Sequence, residues 1–306
     1  MPRLLKPRAL PAGGTLGIAA PAGPVDPARL AAGEAALREA GFRVVRRDDL
    51  LARHGYLAGD DARRAAELSE LWADPAVDAI VCARGGYGCQ RIVPLLDAAR
   101  ARAARKPLVG YSDVTTLLLW QRRCAGLVGF HGPMLERGGE LAPDVLGAWL
   151  DALGGRDPEQ RVLRGSGRGG GRASGRLVGG SLTLVTASLG TPWEIDTRGA
   201  VLLLEEVGEK PYRIDRSLAQ LRAAGKLDAV AGIGFGALVG CEDPRYPECS
   251  PLEAVLDALR GLRVPVVAEL PFGHVEGNQI WPVGARARID GERGEIAILE
   301  RGVSGR

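Results

Sequence analysis

A serine stands where a predicted strand turns directly into a predicted helix, in the run Gly110-Tyr111-Ser112-Asp113. The amides and dipole at a helix start stabilise an oxyanion, so Ser112 is a candidate nucleophile. The amide of Asp113 is a candidate oxyanion donor. Val114 stands where the nucleophile-elbow pattern G-x-S-x-G has its second glycine, and a plain helix N-cap is the competing interpretation.

A nucleophilic serine needs a general base, and the sequence contains three histidines. His54 lies in a polar loop and is interpreted as a solvated surface residue. His131 follows a predicted strand on the same edge as Ser112, where a ligand-contacting and a structural role both fit. His274 lies in a glycine-containing loop that permits close approach of a partner domain, and its neutral imidazole can accept the serine proton.

The histidine in turn needs a carboxylate that fixes its tautomer, and two glutamates follow the apolar run Val201–Leu204. Glu205 is the candidate. Glu206 points to the opposite side of an extended chain, so only one of the two faces the site. A slip of one residue to Glu206 stays open, as does a solvated strand-end carboxylate with no catalytic role.

A glycine-rich loop follows another predicted strand, in Arg84-Gly85-Gly86-Tyr87-Gly88. Its backbone can form a nest in which Gly85 or Gly86 provides a second oxyanion amide, and Arg84 can bind a substrate carboxylate. The loop lacks the G-x-G-x-x-G pattern of dinucleotide sites. The sequence also has no H-E-x-x-H and no Cys/His cluster, so we expect neither a cofactor nor a metal.

The candidate residues must be positioned by strands that share one edge of a sheet. In the first half of the chain, apolar runs alternate with helical stretches, which predicts βαβ units and a doubly wound, mostly parallel sheet in an α/β fold. Ligands bind such sheets beyond the carboxyl ends of the strands. The predicted strands are Thr15–Ala20, Phe42–Val45, Asp78–Ala83, Pro107–Tyr111 and Leu127–Phe130, and the predicted helices are Pro27–Ala40, Asp60–Ala73, Cys89–Arg102 and Val114–Cys124.

Two domains are expected from a length of 306 residues. The first, 1–153, is the α/β domain that carries the candidate nucleophile. Residues 154–175 are rich in Gly and Arg and are interpreted as a linker. The second, 176–306, is predicted to be a smaller α+β, barrel-like domain with a C-terminal hairpin over 286–299, and it carries the glutamate and histidine.

Composition excludes several classes of protein. Hydrophobic residues make up 46% and charged residues 25% of the chain, as in globular proteins. A net charge of +3 is too small and too dispersed for nucleic-acid binding. Five cysteines without C-x-x-C spacing indicate reduced thiols. With neither a signal-peptide pattern nor an apolar run of membrane length, we expect a cytoplasmic protein without membrane contact.

Seven sequence blocks, in order from about Gly14 to Ile289, resemble the LD-carboxypeptidases of the S66 serine peptidase family. The blocks are Gly55-Tyr56-Leu57-Ala58-Gly59-Asp60, Ala83-Arg84-Gly85-Gly86-Tyr87-Gly88, Gly110-Tyr111-Ser112-Asp113, Phe130-His131-Gly132-Pro133-Met134, Gly179-Gly180-Ser181-Leu182, Leu204-Glu205-Glu206-Val207 with Pro211-Tyr212-Arg213-Ile214-Asp215-Arg216, and Phe272-Gly273-His274.

The resemblance implies a Ser-His-Glu triad of Ser112, His274 and Glu205, in an active site that forms where the two domains dock. It also implies metal-free and cofactor-free hydrolysis of the bond between an L-configured centre and a terminal D-residue. The family's usual substrate is a cytoplasmic murein tetrapeptide, a small peptide that loses its terminal D-Ala during peptidoglycan recycling. The resemblance further suggests a homodimer.

Two alternatives remain at this point. The related microcin C immunity peptidases cleave peptidyl and aminoacyl adenylates, although the block Tyr212–Arg216 is more similar to the carboxypeptidase branch. The second alternative is a non-catalytic two-domain protein that binds a ligand, in which Ser112 is only a helix N-cap. The chain departs from the family at Pro21-Ala22-Gly23, where Pro-Ser-Ser is usual, and at Ser181, where the family has Asn.

Overall fold

The computed structural model describes residues 4–135, 141–156 and 161–305. They form two compact units, one within 1–157, 279–284 and 301–306, and the other within 158–278 and 285–300. The strands are β1 Thr15–Ala19, β2 Arg43–Val45, β3 Ala79–Cys82, β4 Leu108–Gly110, β5 Gly129–His131, β6 Arg161–Arg164, β7 Ser166–Gly167, β8 Arg172–Ser181, β9 Ala200–Val207, β10 Gly232–Val239, β11 Val266–Ala268, β12 Trp281–Val283, β13 Arg286–Asp290 and β14 Glu295–Ile298. The α-helices are α1 Pro27–Glu39, α2 Asp61–Ala73, α3 Cys89–Ile92, α4 Ala98–Ala104, α5 Thr115–Trp120, α6 Pro143–Gly154, α7 Leu182–Ala187, α8 Pro211–Ala223 and α9 Pro251–Ala258.

The first unit contains a six-stranded sheet in the order β12-β5-β4-β3-β1-β2. β1 to β5 run parallel, and β12 is antiparallel to β5. β1 and β3 are buried along their whole length, as expected of a sheet covered on both faces. The predicted mostly parallel sheet is confirmed, and the carboxyl ends of β1, β3, β4 and β5 lie side by side.

The prediction of one continuous helix over Cys89–Arg102 is wrong, because the structure has two helices there. A 3₁₀ turn, Val93–Leu95, separates α3 from α4. Pro94 lies in this turn and has no N–H for an α-helical hydrogen bond. Asp97 then caps α4, because its side chain accepts the N–H groups of Ala99 and Arg100.

The second unit contains an eight-stranded mixed sheet in the order β6-β14-β13-β8-β9-β10-β11-β7. β8 to β11 form a parallel half, and the remaining pairs are antiparallel. β6 and β7 stand at opposite ends of this order, yet only Gly165 separates them along the chain. The sheet therefore curves back on itself, which agrees with the predicted α+β, barrel-like second domain. The predicted hairpin is β13 and β14.

The segment interpreted as a linker, 154–175, is largely strand in its described part, and its glycines are packed rather than free. A Cβ at Gly165 would lie 2.2 Å from the Ala268 carbonyl oxygen, and one at Gly170 would lie 2.1 Å from that of Val264. Glycine is therefore needed here for close contact between backbones. The C-terminal region also differs from the prediction, because β12 pairs with β5 in the first unit.

No helix within the described ranges is long and apolar enough to cross a lipid bilayer.

Candidate active site

Ser112 lies at a strained turn between β4 and α5, in a 3₁₀ turn of Ser112–Val114. Its φ of +60° is in the left-handed region, which is unusual for a residue other than glycine and is typical of functional turns. Gly110 permits the turn, since a Cβ there would lie 2.7 Å from Cγ1 of Val114. Val114 thus packs on the strand end, and its departure from the elbow pattern is accommodated by Gly110.

The predicted glycine-rich loop after β3 reaches the same turn. A Cβ at Gly85 would lie 2.8 Å from the Cβ and 3.0 Å from the Oγ of Ser112, so the loop backbone contacts the serine directly. The Gly23 N–H donates to the Gly85 carbonyl at 3.0 Å and fixes the orientation of that peptide. Within the described part of the chain, neither the Gly85 nor the Gly86 N–H donates to a backbone carbonyl. Both remain suitable oxyanion donors.

The side chain of Asp113 faces the protein interior. Its Oδ2 accepts the Cys89 N–H at 2.8 Å. Burial raises the pKa of this carboxyl, and the bond from Cys89 opposes the rise. The carboxyl group therefore connects the turn of the candidate nucleophile to the start of α3. The predicted contribution of Asp113 to an oxyanion site is its backbone amide.

In the second unit, the structure brings His274 and Glu205 together. Nδ1 of His274 lies 2.8 Å from Oε2 of Glu205, and the carboxylate is fully buried. An ionised carboxylate only accepts hydrogen bonds, so this contact places the proton on Nδ1. In that tautomer the lone pair of the imidazole is on Nε2, which is the nitrogen that can act as a base.

Backbone contacts of the loop after β11 set the position of His274. β10 has an irregularity in its register between Phe235 and Leu238, and there the Ala237 N–H donates to the Phe272 carbonyl at 2.9 Å. Gly273 adopts φ +108°, and its N–H donates to Oδ1 of Asn278. The irregular stretch of β10 thus binds the loop that carries the histidine through this backbone hydrogen bond.

Glu206 faces different partners. Its Oε2 accepts the backbone N–H of Thr183 at 2.8 Å and the hydroxyl of the same residue at 2.7 Å. Burial raises the pKa of the Glu206 carboxyl, while the bonds from Thr183 oppose the rise. Of the two adjacent glutamates, Glu205 is the one hydrogen-bonded to His274.

We expect Gly273→Ala to destabilise the protein by about 1–3 kcal/mol, because alanine disfavours a positive φ. The new Cβ would also lie 2.9 Å from both Cβ and Oε2 of Glu205. The free energy of unfolding from urea titration tests this expectation. Gly277→Ala is the matched control in the same loop, with φ +72° and nothing within 4 Å of its Cβ. Equal destabilisation by the two variants would show that crowding against Glu205 has no effect.

The remaining candidates lie in the first unit. Arg84 is exposed, and its Nη1 donates to the Pro24 carbonyl at 2.7 Å. His131 is fully buried at the end of β5, with its ring stacked on Trp281 at 4.9 Å between centroids, which favours its structural interpretation. His54 is exposed, as predicted. Across the described residues, no group of His, Cys, Asp and Glu is arranged to hold a metal ion.

Sequence reasoning missed two charged side chains of α2 that support the strand-end loops. Oε2 of Glu67 accepts the Ala20 N–H at 2.7 Å, and Arg64 donates to two loop carbonyls. The available signal was helical spacing, since Arg64, Glu67, Leu68 and Leu71 form one stripe and all are buried.

Comparison with known proteins gives consistent matches along the chain. Residues 16–132 match the family model of the LD-carboxypeptidase N-terminal domain, and residues 174–289 match that of the LD-carboxypeptidase C-terminal domain. A putative carboxypeptidase of Streptomyces coelicolor is 44% identical over 97% of this chain and 97% of its own. The crystal structure of muramoyltetrapeptide carboxypeptidase from Oxalobacter formigenes is 30% identical with a TM-score of 0.82, covering 93% of this chain and 97% of that one.

A third likeness is to the microcin C7 self-immunity protein MccF of Escherichia coli. Its structure in complex with aspartyl sulfamoyl adenosine has a TM-score of 0.90 and 24% identity, covering 98% of this chain and 100% of that one. At this identity the structural likeness shows a shared fold.

Proposed function

Because the chain belongs to the LD-carboxypeptidase family of S66 serine peptidases, we propose that it hydrolyses the L–D peptide bond of murein tetrapeptides and releases the terminal D-Ala. This reaction would serve peptidoglycan recycling in the cytoplasm. The main support for the proposal is the hydrogen bond between Nδ1 of His274 and Oε2 of the buried Glu205. That contact prepares an imidazole for general-base catalysis.

In the proposed mechanism, Oγ of Ser112 attacks the carbonyl carbon that precedes the terminal D-residue, and Nε2 of His274 takes the hydroxyl proton. Glu205 stabilises the imidazolium that forms. The oxyanion of the tetrahedral intermediate accepts hydrogen bonds from the amide of Asp113 and from that of Gly85 or Gly86.

When the intermediate collapses, the peptide C–N bond breaks and His274 returns its proton to the leaving amine of D-Ala. A water molecule then attacks the ester on Ser112, and its proton goes to His274. The bond between the acyl carbon and Oγ breaks, His274 returns the proton to Oγ, and the shortened peptide leaves. Ser112 lies in the first unit, and the His274–Glu205 pair lies in the second.

The proposed substrate ends in a free carboxylate, and a cationic side chain is the partner that would bind this group. We assign that role to Arg84, an exposed residue in the loop directly before Gly85 whose Nη1 donates to the Pro24 carbonyl. Arginine binds carboxylates in a bidentate geometry that also fixes their orientation. Orientation matters here because the enzyme must distinguish a terminal D-residue from an L-residue.

A panel of three substrates tests the proposed function. We expect the protein to release the last residue from a tetrapeptide ending in D-Ala and to leave the same peptide ending in L-Ala intact, as followed by mass spectrometry. The third substrate is an aminoacyl sulfamoyl adenosine, chosen because MccF has been crystallised with such a compound. Cleavage of this compound with no action on the tetrapeptide would overturn the proposal in favour of adenylate hydrolysis.

A further inference from the structure

A buried arginine joins two of the loops at the carboxyl edge of the first sheet. Arg64 lies in α2 with no exposed surface. Its Nη1 donates to the Pro21 carbonyl at 2.6 Å and to the Gly88 carbonyl at 2.8 Å, and its Nη2 donates to Oδ1 of Asp61. One guanidinium therefore connects the loop after β1 to the loop after β3.

The peptide group between Gly88 and Cys89 is held on both sides. Its carbonyl accepts from Arg64, and its N–H donates to Oδ2 of Asp113 at 2.8 Å. Asp113 directly follows Ser112 in the chain. A continuous path of hydrogen bonds thus runs from α2, through the loop after β3, to the turn that carries the candidate nucleophile.

The fit around this guanidinium leaves little room for adjustment. Gly88 adopts φ +135°, and a Cβ there would lie 2.4 Å from Nη1 of Arg64. Three residues earlier in the same loop, Gly85 contacts Ser112. One end of this short loop, Gly88, packs against Arg64, and the other end, Gly85, packs against Ser112. We therefore expect a displacement of Gly88 to shift the amides of Gly85 and Gly86 relative to Ser112.

We propose that Arg64 is a positioning residue that holds the Gly85–Gly86 amides at the oxyanion position beside Ser112. The inference rests on the proposed function, since it takes Ser112 as the nucleophile. An oxyanion donor acts in the transition state and contributes little to ground-state binding. Loss of the guanidinium therefore lowers kcat rather than raising KM, and a 1 Å misplacement is enough for a large effect.

Two variants of Arg64 test the inference with the murein tetrapeptide as substrate. We expect Arg64→Met, which keeps the bulk and loses all donors, to lower kcat about 100-fold with KM within about threefold of the parent. Arg64→Lys retains a charged donor without the planar fork, so we expect a loss of about tenfold in kcat. If the methionine variant does not fold, the lysine variant alone tests the inference.

Arg63→Met is the matched control. Arg63 is the neighbouring arginine of α2 and is mostly buried. It donates to Glu67 and to the Ala58 carbonyl, so its link to the loop after β1 is indirect, through the Glu67 carboxylate that accepts the Ala20 N–H. We expect it to lower the melting temperature while kcat stays within about threefold of the parent. A parent-like kcat in either folded Arg64 variant, a rise in KM without a fall in kcat, or an equal fall in kcat for Arg63→Met overturns the inference.

The rate of covalent labelling by a fluorophosphonate separates this inference from the proposed function, because the probe needs the nucleophile and oxyanion donors but no peptide. If the parent is labelled at Ser112 without cleaving the tetrapeptide, the proposed substrate is wrong. A labelling rate about 100-fold lower in Arg64→Met then still supports the positioning role, and an unchanged rate overturns it. A parent that neither cleaves the peptide nor reacts with the probe overturns both.

Discussion

We expect Ser112→Ala to lower kcat on the murein tetrapeptide by about a million-fold, which is the loss expected when the nucleophile of a serine-histidine-carboxylate triad is removed. In the proposed mechanism the hydroxyl oxygen forms the covalent bond to the substrate, so no neighbouring group can replace it. Alanine retains the Cβ and meets the same backbone requirement at φ +60°, which leaves the strain of the turn unchanged. We therefore expect this variant to lose its activity and to keep the free energy of unfolding of the parent.

Steady-state kinetics together with urea unfolding check this expectation. Ser188→Ala is a suitable control, because its buried hydroxyl donates to the Val185 carbonyl and accepts the Ile195 N–H within the second unit. We expect that variant to lose about 1 kcal/mol of stability and to keep its activity. If Ser112→Ala retains most of the parent turnover while folded, Ser112 is not the nucleophile.

The second large effect concerns the two adjacent glutamates. Glu205→Gln is expected to lower kcat about 10,000-fold, because the amide neither stabilises the imidazolium of His274 nor enforces its tautomer. Glu206→Gln is expected to stay within about threefold of the parent. A glutamine carbonyl still accepts the two hydrogen bonds from Thr183 to Oε2, and the bond that is lost is the local one from the Val207 N–H to Oε1.

This pair of variants is closely matched, since both glutamates are buried neighbours on β9 and both substitutions remove one charge. A comparison of kcat, with unfolding curves for both proteins, therefore isolates the contact with His274. Equal kcat values for the two variants would contradict the assignment of Glu205 to the triad. A larger loss for Glu206→Gln would move the triad acid by one residue.

The sequence was sufficient to predict the candidate nucleophile turn, because strand and helix patterns meet at Ser112 without an intervening loop. It also led to His274, since a chain with three histidines offers few bases. It left Glu205 and Glu206 open because strand alternation separates two faces without saying which of them is functional. In the folded second unit, Thr183 approaches one face of β9 and bonds to Glu206, whereas His274 approaches the other face and bonds to Glu205. These contacts, which sequence alternation does not contain, distinguish the two glutamates.

Tertiary packing explains the predictions that failed. A flexible linker and a closely packed strand can both be rich in glycine, so composition does not tell them apart. In residues 154–175 the close packing is seen in the folded structure, for example where Gly165 approaches the Ala268 carbonyl. β12 is three residues long, contains Pro282 and joins the first sheet from the far end of the chain. Arg64 was missed because a charged residue in a helix is usually solvated. Its role depends on carbonyls supplied by two distant loops.

The most direct test of the account is the release of D-Ala from a murein tetrapeptide, measured in one assay for the parent, Ser112→Ala, Glu205→Gln and Glu206→Gln. We predict release by the parent and by Glu206→Gln, and no detectable release by the other two variants. This pattern would establish the reaction, the nucleophile and the triad acid together. Absence of release by the parent, or release by Ser112→Ala at the parent rate, would contradict the account.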